Sequence, residues 1–150
     1  MRAMLVIVLA AGCGAALQGM QGKNGEALTD TIKSYNEDVK WERWDNASAF
    51  IPATQRATRV DEWDERAHEL KITDFEIIKV DRKGDEARAH VKLEWYRTSD
   101  NTVHETHAVQ TWEHKGKGWL VVDESRLRGP EMPGLPEPMM HDDKPAPRTR

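Results

Sequence analysis

TWEHKGKGWLVVDES, Thr111 to Ser125, alternates polar and apolar side chains, turns on two glycines in KGKG, and alternates again. A period of two is the mark of a strand with one covered face, and so short a connection joins only antiparallel neighbours. The same rhythm extends back to Leu70. KITDFEIIKV, EARAHVKLEWY, TVHETHAVQTWEH and GWLVVDES read as four strands, and the pieces between them, RKGD, TSDNT and KGKG, are turn-forming. An antiparallel meander of four strands follows.

Upstream of the strands the period changes. Leu28, Ile32, Tyr35 and Val39 recur at helical spacing from about Gly25, with Asn24 as the expected N-cap. Ala47, Phe50 and Ile51 suggest a further short turn before Pro52, and Val60, Trp63 and Ala67 mark a second helix over roughly Gln55 to His68. The expected class is α+β, with two or three N-terminal helices packed on a curved four-stranded antiparallel sheet over residues 25–128.

This order of elements, with the hairpin TWEHKGKGWLVVDES and the segment Asn46 to Phe50 before the second helix, resembles the nuclear-transport-factor-two-like superfamily. That superfamily includes the SnoaL-like polyketide cyclases and the ketosteroid isomerases. The resemblance implies a curved sheet wrapped around helices, a cone-shaped cavity, and acid–base residues in the cavity of its enzymes. Several relatives place a His shortly before the Ser of that hairpin, where this chain has Asp123-Glu124-Ser125.

Three of the six histidines fall between Val103 and His114. A helical zinc-protease motif needs its histidines four apart, whereas His104 and His107 are three apart and lie in an alternating segment. On a strand they point to opposite faces, and His114 lies roughly 33 Å from His104 at about 3.3 Å per residue. No metal site is expected within this stretch.

The turn TSDNT sets which histidine faces inward. With a four-residue loop between Arg97 and Thr102, Trp95 faces His104 and Val91 faces Ala108; pairing His114 with Trp119 then sets Gln110 against Asp123. One face would carry Trp95, His104, Gln110, Trp112 and Asp123 among aliphatic neighbours, as small-ligand cavities do, with His104 and Asp123 as candidate proton carriers. A loop one residue longer turns His107, Val109, Leu120 and Val122 inward instead. Tyr35 is a further cavity candidate. The six tryptophans read either as core or as a binding platform, and Asp61-Glu62 and Asp64-Glu65 as a solvated helix face. Apolar side chains on the outer sheet face, such as Phe75 and Ile77, leave a homodimer open.

The ends concern location. MRAMLVIVLAAGCG has a cationic start, a short apolar run and small residues before the single cysteine, which excludes an intrachain disulfide. Leu9 to Cys13 resembles a bacterial lipobox, which implies a signal peptide over 1–12, lipidation of Cys13 and a tether over 13–24. Gly14 after the cysteine implies outer-membrane sorting. Residues 129–150 hold most of the prolines without an apolar period, and disorder is expected there. A net charge of −4 without a basic run argues against nucleic acid as a partner. The sequence therefore points to a lipid-anchored protein on the periplasmic face of the outer membrane, a non-enzymatic module for a small apolar ligand or a partner. A cavity enzyme and a structural assembly protein are the alternatives; no cofactor is implied.

Overall fold

The structure is a computed structural model that describes residues 18–138. Cys13, the expected signal peptide and residues 139–150 lie outside the described residues. Among these residues are α1 (Gln18–Lys40), α2 (Trp44–Ser48), a short 3-10 turn (Ala53–Gln55) and α3 (Arg56–Glu69). Then come β1 (Leu70–Lys83), β2 (Glu86–Arg97), β3 (Val103–Lys115) and β4 (Gly118–Arg128), one sheet in the order β1-β2-β3-β4 with every pair antiparallel. The expected α+β class and the meander are both present.

The stripe that predicts α1 is its buried face: Leu28, Ile32 and Tyr35 are buried, and Val39 packs beside them. The helix already runs through Gln18 to Asn24, the first described residues, so the backbone of 18–24, expected as tether, is helical and Asn24 is no cap. Gln, Met and Lys in that stretch are good helix formers, which offsets the cost of its glycines. At the other end Glu42 takes a left-handed φ of 55°. Its N–H bonds to the Val39 carbonyl and that of Arg43 to the Asp38 carbonyl, so the last carbonyls are satisfied and the chain turns sharply into α2.

The two-residue hairpin turns each begin with a glycine at φ 63°, Gly84 and Gly116. Between β2 and β3 the four-residue loop holds. Asn101 sits at φ 56° and Asp100 Oδ1 accepts the Thr102 N–H, while Trp95 pairs with His104 and Val91 with Ala108. Ala87, Ala89, Val91, Leu93 and Trp95 therefore share a buried face with Thr106, Ala108, Gln110 and Trp112. Trp95 and Trp112 are fully buried. Each removes roughly 150 Å² or more from water, worth on the order of 4 kcal/mol before the entropy of ordering is subtracted.

Bulges correct the simple alternation in β1 and in β4. Register shifts between Ile72 and Asp74, and between Ile77 and Lys79, keep both Phe75 and Ile77 on the inner face, opposite Leu93 and Val91. The outer face carries Glu76, Lys79, Lys92 and Glu105 instead, with Lys92 Nζ 2.8 Å from Glu76 and 3.8 Å from Glu105. The apolar surface expected to support a homodimer is thus part of the core. In β4, a shift after Val121, which pairs with Trp112, sets Thr111 against Asp123 and Gln110 against Glu124, leaving Val122 as the extra residue. Asp123 turns out to solvent and Glu124 turns in.

Residues 129–138 have no regular structure, yet they are packed, against the expectation of disorder from 129 onward. Met132 and Leu135 are buried in the same core as the helices. Arg126 donates through Nε and Nη2 to the two carboxylate oxygens of Glu137, both at 2.6 Å, and its own N–H reaches the Pro136 carbonyl at 2.8 Å. The segment is thus a strap that leaves β4 and returns to it. Gly129, at φ 93°, lies so close to β3 that a Cβ would fall 2.6 Å from the Glu105 carbonyl oxygen. Proline content alone misled here, because two apolar anchors and one forked ion pair suffice to hold ten residues.

Met132→Ala should lower the unfolding free energy by about 2–4 kcal/mol, as loss of a buried Met side chain does. Urea denaturation measures it; a change below about 0.5 kcal/mol would mean a free tail.

Candidate functional site

Where α1 crosses the sheet, polar side chains meet inside the apolar core. Asn36 follows Tyr35 on the buried face of α1, one helical turn after Ile32. Its Nδ2 donates to the Ile32 carbonyl at 2.8 Å and to Gln110 Oε1 at 3.1 Å. Gln110 Nε2 donates back to Asn36 Oδ1 at 2.9 Å and to Glu124 Oε2 at 3.1 Å. Both amides spend both hydrogens, so neither is left asking for a ligand. The Tyr35 hydroxyl donates to the same Glu124 oxygen at 3.3 Å.

Aromatic rings close the space around this network. Tyr35 meets Trp112 edge-on at 5.5 Å and Phe50 at 6.1 Å, and Trp63 lies 6.1 Å away. Burial pushes the Tyr35 hydroxyl well above its ordinary pKa, and the neighbouring Glu124 charge adds to that, outweighing Arg59 and Arg66. It is held protonated, as a donor. Arg66 of α3 is buried beside the strap, where a Cβ on Gly134 would lie 2.7 Å from its Cδ. Burial lowers the pKa of its guanidinium, against the attraction of Glu124 and Tyr35.

Trp95 Nε1 donates to Thr106 Oγ1 at 3.0 Å, and that hydroxyl donates to the Pro130 carbonyl at 2.8 Å, tying the inner face to the strap. Among the described residues Trp112 Nε1 has no acceptor. Of the six cavity candidates, Tyr35, Trp95, Gln110 and Trp112 lie together in the core and His104 at its margin, half-buried with its ring 4.6 Å from that of Trp95. Asp123 is not with them. Of the two candidate proton carriers, His104 stays on the inner face while Asp123 leaves it, because the bulge at Val122 sets Glu124 rather than Asp123 opposite Gln110. The sequence reading missed Asn36, Glu124 and Arg66. Asn36 could have been found, since it shares the helical stripe; Glu124 depended on a bulge with no marker of its own.

Two surface features stand apart from the core. A cleft of about 540 Å³ is lined by Arg43, Trp44, Asp45, Asn46, Asp61 and Asp64, among others. Trp44 forms its wall by stacking on Trp63 at 5.6 Å, and Trp41 nearby is 61% exposed. On the outer face of the sheet, His90 Nε2 and His107 Nδ1 lie 2.7 Å apart. Burial lowers the pKa of His90, with the charges of His107 and Arg128 acting in the same direction. His104 and His107 do point to opposite faces. Among the described residues no three His, Cys, Asp or Glu side chains converge as a metal site, and no helix is long and apolar enough to cross a membrane.

No family model matches the chain, and no curated protein matches it. Among solved structures it is similar to a conserved protein from Planctomyces limnophilus DSM 3776, known from its crystal structure. The TM-score is 0.54 at 12% identity, covering 69% of this chain and 94% of that one. The likeness is one of fold.

In a double-mutant cycle, Asn36→Leu and Gln110→Leu should each destabilise by about 1–3 kcal/mol, since each strands the other amide in the core. The double variant should cost less than the sum by at least 0.5 kcal/mol or so. Additive losses would mean that the two amides do not depend on each other.

Proposed function

We propose that this protein is a lipid-anchored component of the bacterial cell envelope whose domain is a non-enzymatic binding module with a closed interior. The anchor reading rests on the resemblance of Leu9 to Cys13 to a lipobox. It places the domain at the periplasmic face of the outer membrane, held by acyl chains on Cys13.

The observation that carries the non-enzymatic reading is the filling of the inner sheet face. In the nuclear-transport-factor-two-like architecture that the sequence resembles, a substrate would lie in a cone against this face. Here Trp95, Trp112 and Tyr35 occupy that space, and Asn36 and Gln110 satisfy each other. A catalyst needs room for a substrate and a group free to move a proton. A small apolar ligand meets the same obstacle, so binding moves to the surface. The Trp44 cleft and exposed Trp41 offer an aromatic platform ringed by acidic groups, suited to a partner or a polar ligand. A homodimer through the sheet would draw on the exposed Ile78 and Val103 and on ion pairs rather than on Phe75 and Ile77, which pack against the core.

One observation favours the enzyme as second reading: Tyr35 and Glu124 are a phenol and a carboxylate in hydrogen-bond contact. The raised Tyr35 pKa counts against it as a base at neutral pH. A purely structural role in envelope assembly fits the closed core equally well but leaves the cleft without use.

Cys13→Ser should abolish palmitate labelling and release the full chain from the membrane fraction of a bacterial host. Persistence of both would remove the anchor.

A further inference from the structure

His90 on β2 and His107 on β3 are diagonal neighbours across the antiparallel pair, since His90 faces Val109 and His107 faces Lys92. Their rings converge with Nε2 and Nδ1 at 2.7 Å. Two imidazole nitrogens at that distance share one hydrogen, and the one that does not carry it presents a lone pair to the other. We propose that this pair is a binding site for a divalent transition-metal ion, Cu(II) above all, with the two ring nitrogens as protein ligands and water in the remaining positions.

The distance is close to what coordination needs. Metal–nitrogen bonds of about 2.0–2.1 Å at a right angle separate two ligand nitrogens by roughly 2.9 Å, and at a tetrahedral angle by roughly 3.3 Å. For the first geometry the nitrogens part by only a few tenths of an ångström. The rings, with centroids 4.9 Å apart, face each other nearly head-on, so the less buried His90 ring has to turn by some tens of degrees (roughly 30° or more) for both lone pairs to meet one ion. That geometry, with cis nitrogens and oxygen donors, is the tetragonal preference of Cu(II) and Ni(II), and Cu(II) heads the affinity order for such ligands. Calcium and magnesium, which want oxygen cages, are excluded by the donor set.

The setting prepares the site in advance. His107 is only 7% exposed, so its ring is positioned by packing rather than by the ion. Glu105 Oε1 lies 3.2 Å from His107 Nε2. A hydrogen on Nε2 donated to that carboxylate leaves Nδ1 free as a lone pair toward His90, the carboxylate–histidine–metal relay that strengthens many metal sites. His90 then coordinates through Nε2 after moving its hydrogen to Nδ1 by exchange with water, so neither neutral ring loses a net proton.

The charges opposing the ion are cationic: Arg128 Nη2 at 3.5 Å from His107 Nε2, Lys79 opposite His90, and Lys92 opposite His107. Lys92 is drawn aside by Glu76 and Glu105. With two protein ligands and these neighbours, the site suits exchangeable rather than structural metal.

Titration of the full chain with Cu(II), followed by electron paramagnetic resonance and by amide NMR broadening, tests the site. The expected result is one equivalent bound with nitrogen couplings, and broadening confined to the residues around His90 and His107. His90→Gln or His107→Gln should abolish the equivalent binding, and Glu105→Gln, which keeps both imidazoles, should weaken it about tenfold. His114→Gln should leave it unchanged. Circular dichroism establishes that each variant is folded. Absence of binding by the parent chain, equal binding by both histidine variants, or broadening centred elsewhere would overturn the proposal.

Discussion

The Gln110 side chain holds three elements in register at once. Its carbonyl accepts from Asn36 of α1, and its amide donates to Asn36 and to Glu124 of β4. A primary amide buried in an apolar face costs several kcal/mol unless its hydrogens and oxygen are matched, so the helix has to sit where Asn36 reaches it. The same demand fixes β4. Only with Val122 bulged out does Glu124 point inward, and only then do Tyr35 and Gln110 share its carboxylate. Trp63, Trp95, Trp112 and Trp119 are buried among the aliphatic residues of the core, and apolar contact is non-directional; the amide pair adds a directional requirement.

From that constraint follows the closed character of the domain. α1 lies near enough to the sheet for Tyr35 to meet Trp112 edge-on, and the strap 129–138 seals the end of the sheet through Thr106, Arg126 and the buried Met132. The free edge of β4 is blunted by the turn after α2 and by the strap, since the Phe50 and Pro136 carbonyls take the Val121 and Arg126 N–H groups. With the inner sheet face occupied by Trp95, Trp112 and Tyr35, the proposed function and the proposed metal site both lie on the surface, at the Trp44 cleft beside α3 and at the histidine pair on the outer sheet face.

Much of this was readable in the sequence where a local rule governs. Period-two runs gave the four strands and glycines gave two of the turns, whereas the sequence left two registers open for the third strand. The four-residue TSDN loop seen in the structure turns His104 inward and His107 outward. The α1 stripe placed Leu28, Ile32 and Tyr35 in the core. What escaped were features decided by tertiary contact. The bulges in β1 took Phe75 and Ile77 inside, and the one in β4 replaced Asp123 by Glu124, although neither is marked by Gly or Pro. The strap looked disordered because its order comes from two anchors and a fork, not from any repeating pattern. His90 was passed over because its partner lies seventeen residues away on the next strand.

The central claim, a core with no room for a ligand, is tested most directly by binding of xenon or benzene to the parent chain and to Trp112→Ala, read by chemical-shift changes of inner-face residues. A closed core predicts no binding to the parent and saturable binding to the variant, since an apolar void of that size takes up such probes. Saturable binding to the parent on the inner face would contradict it.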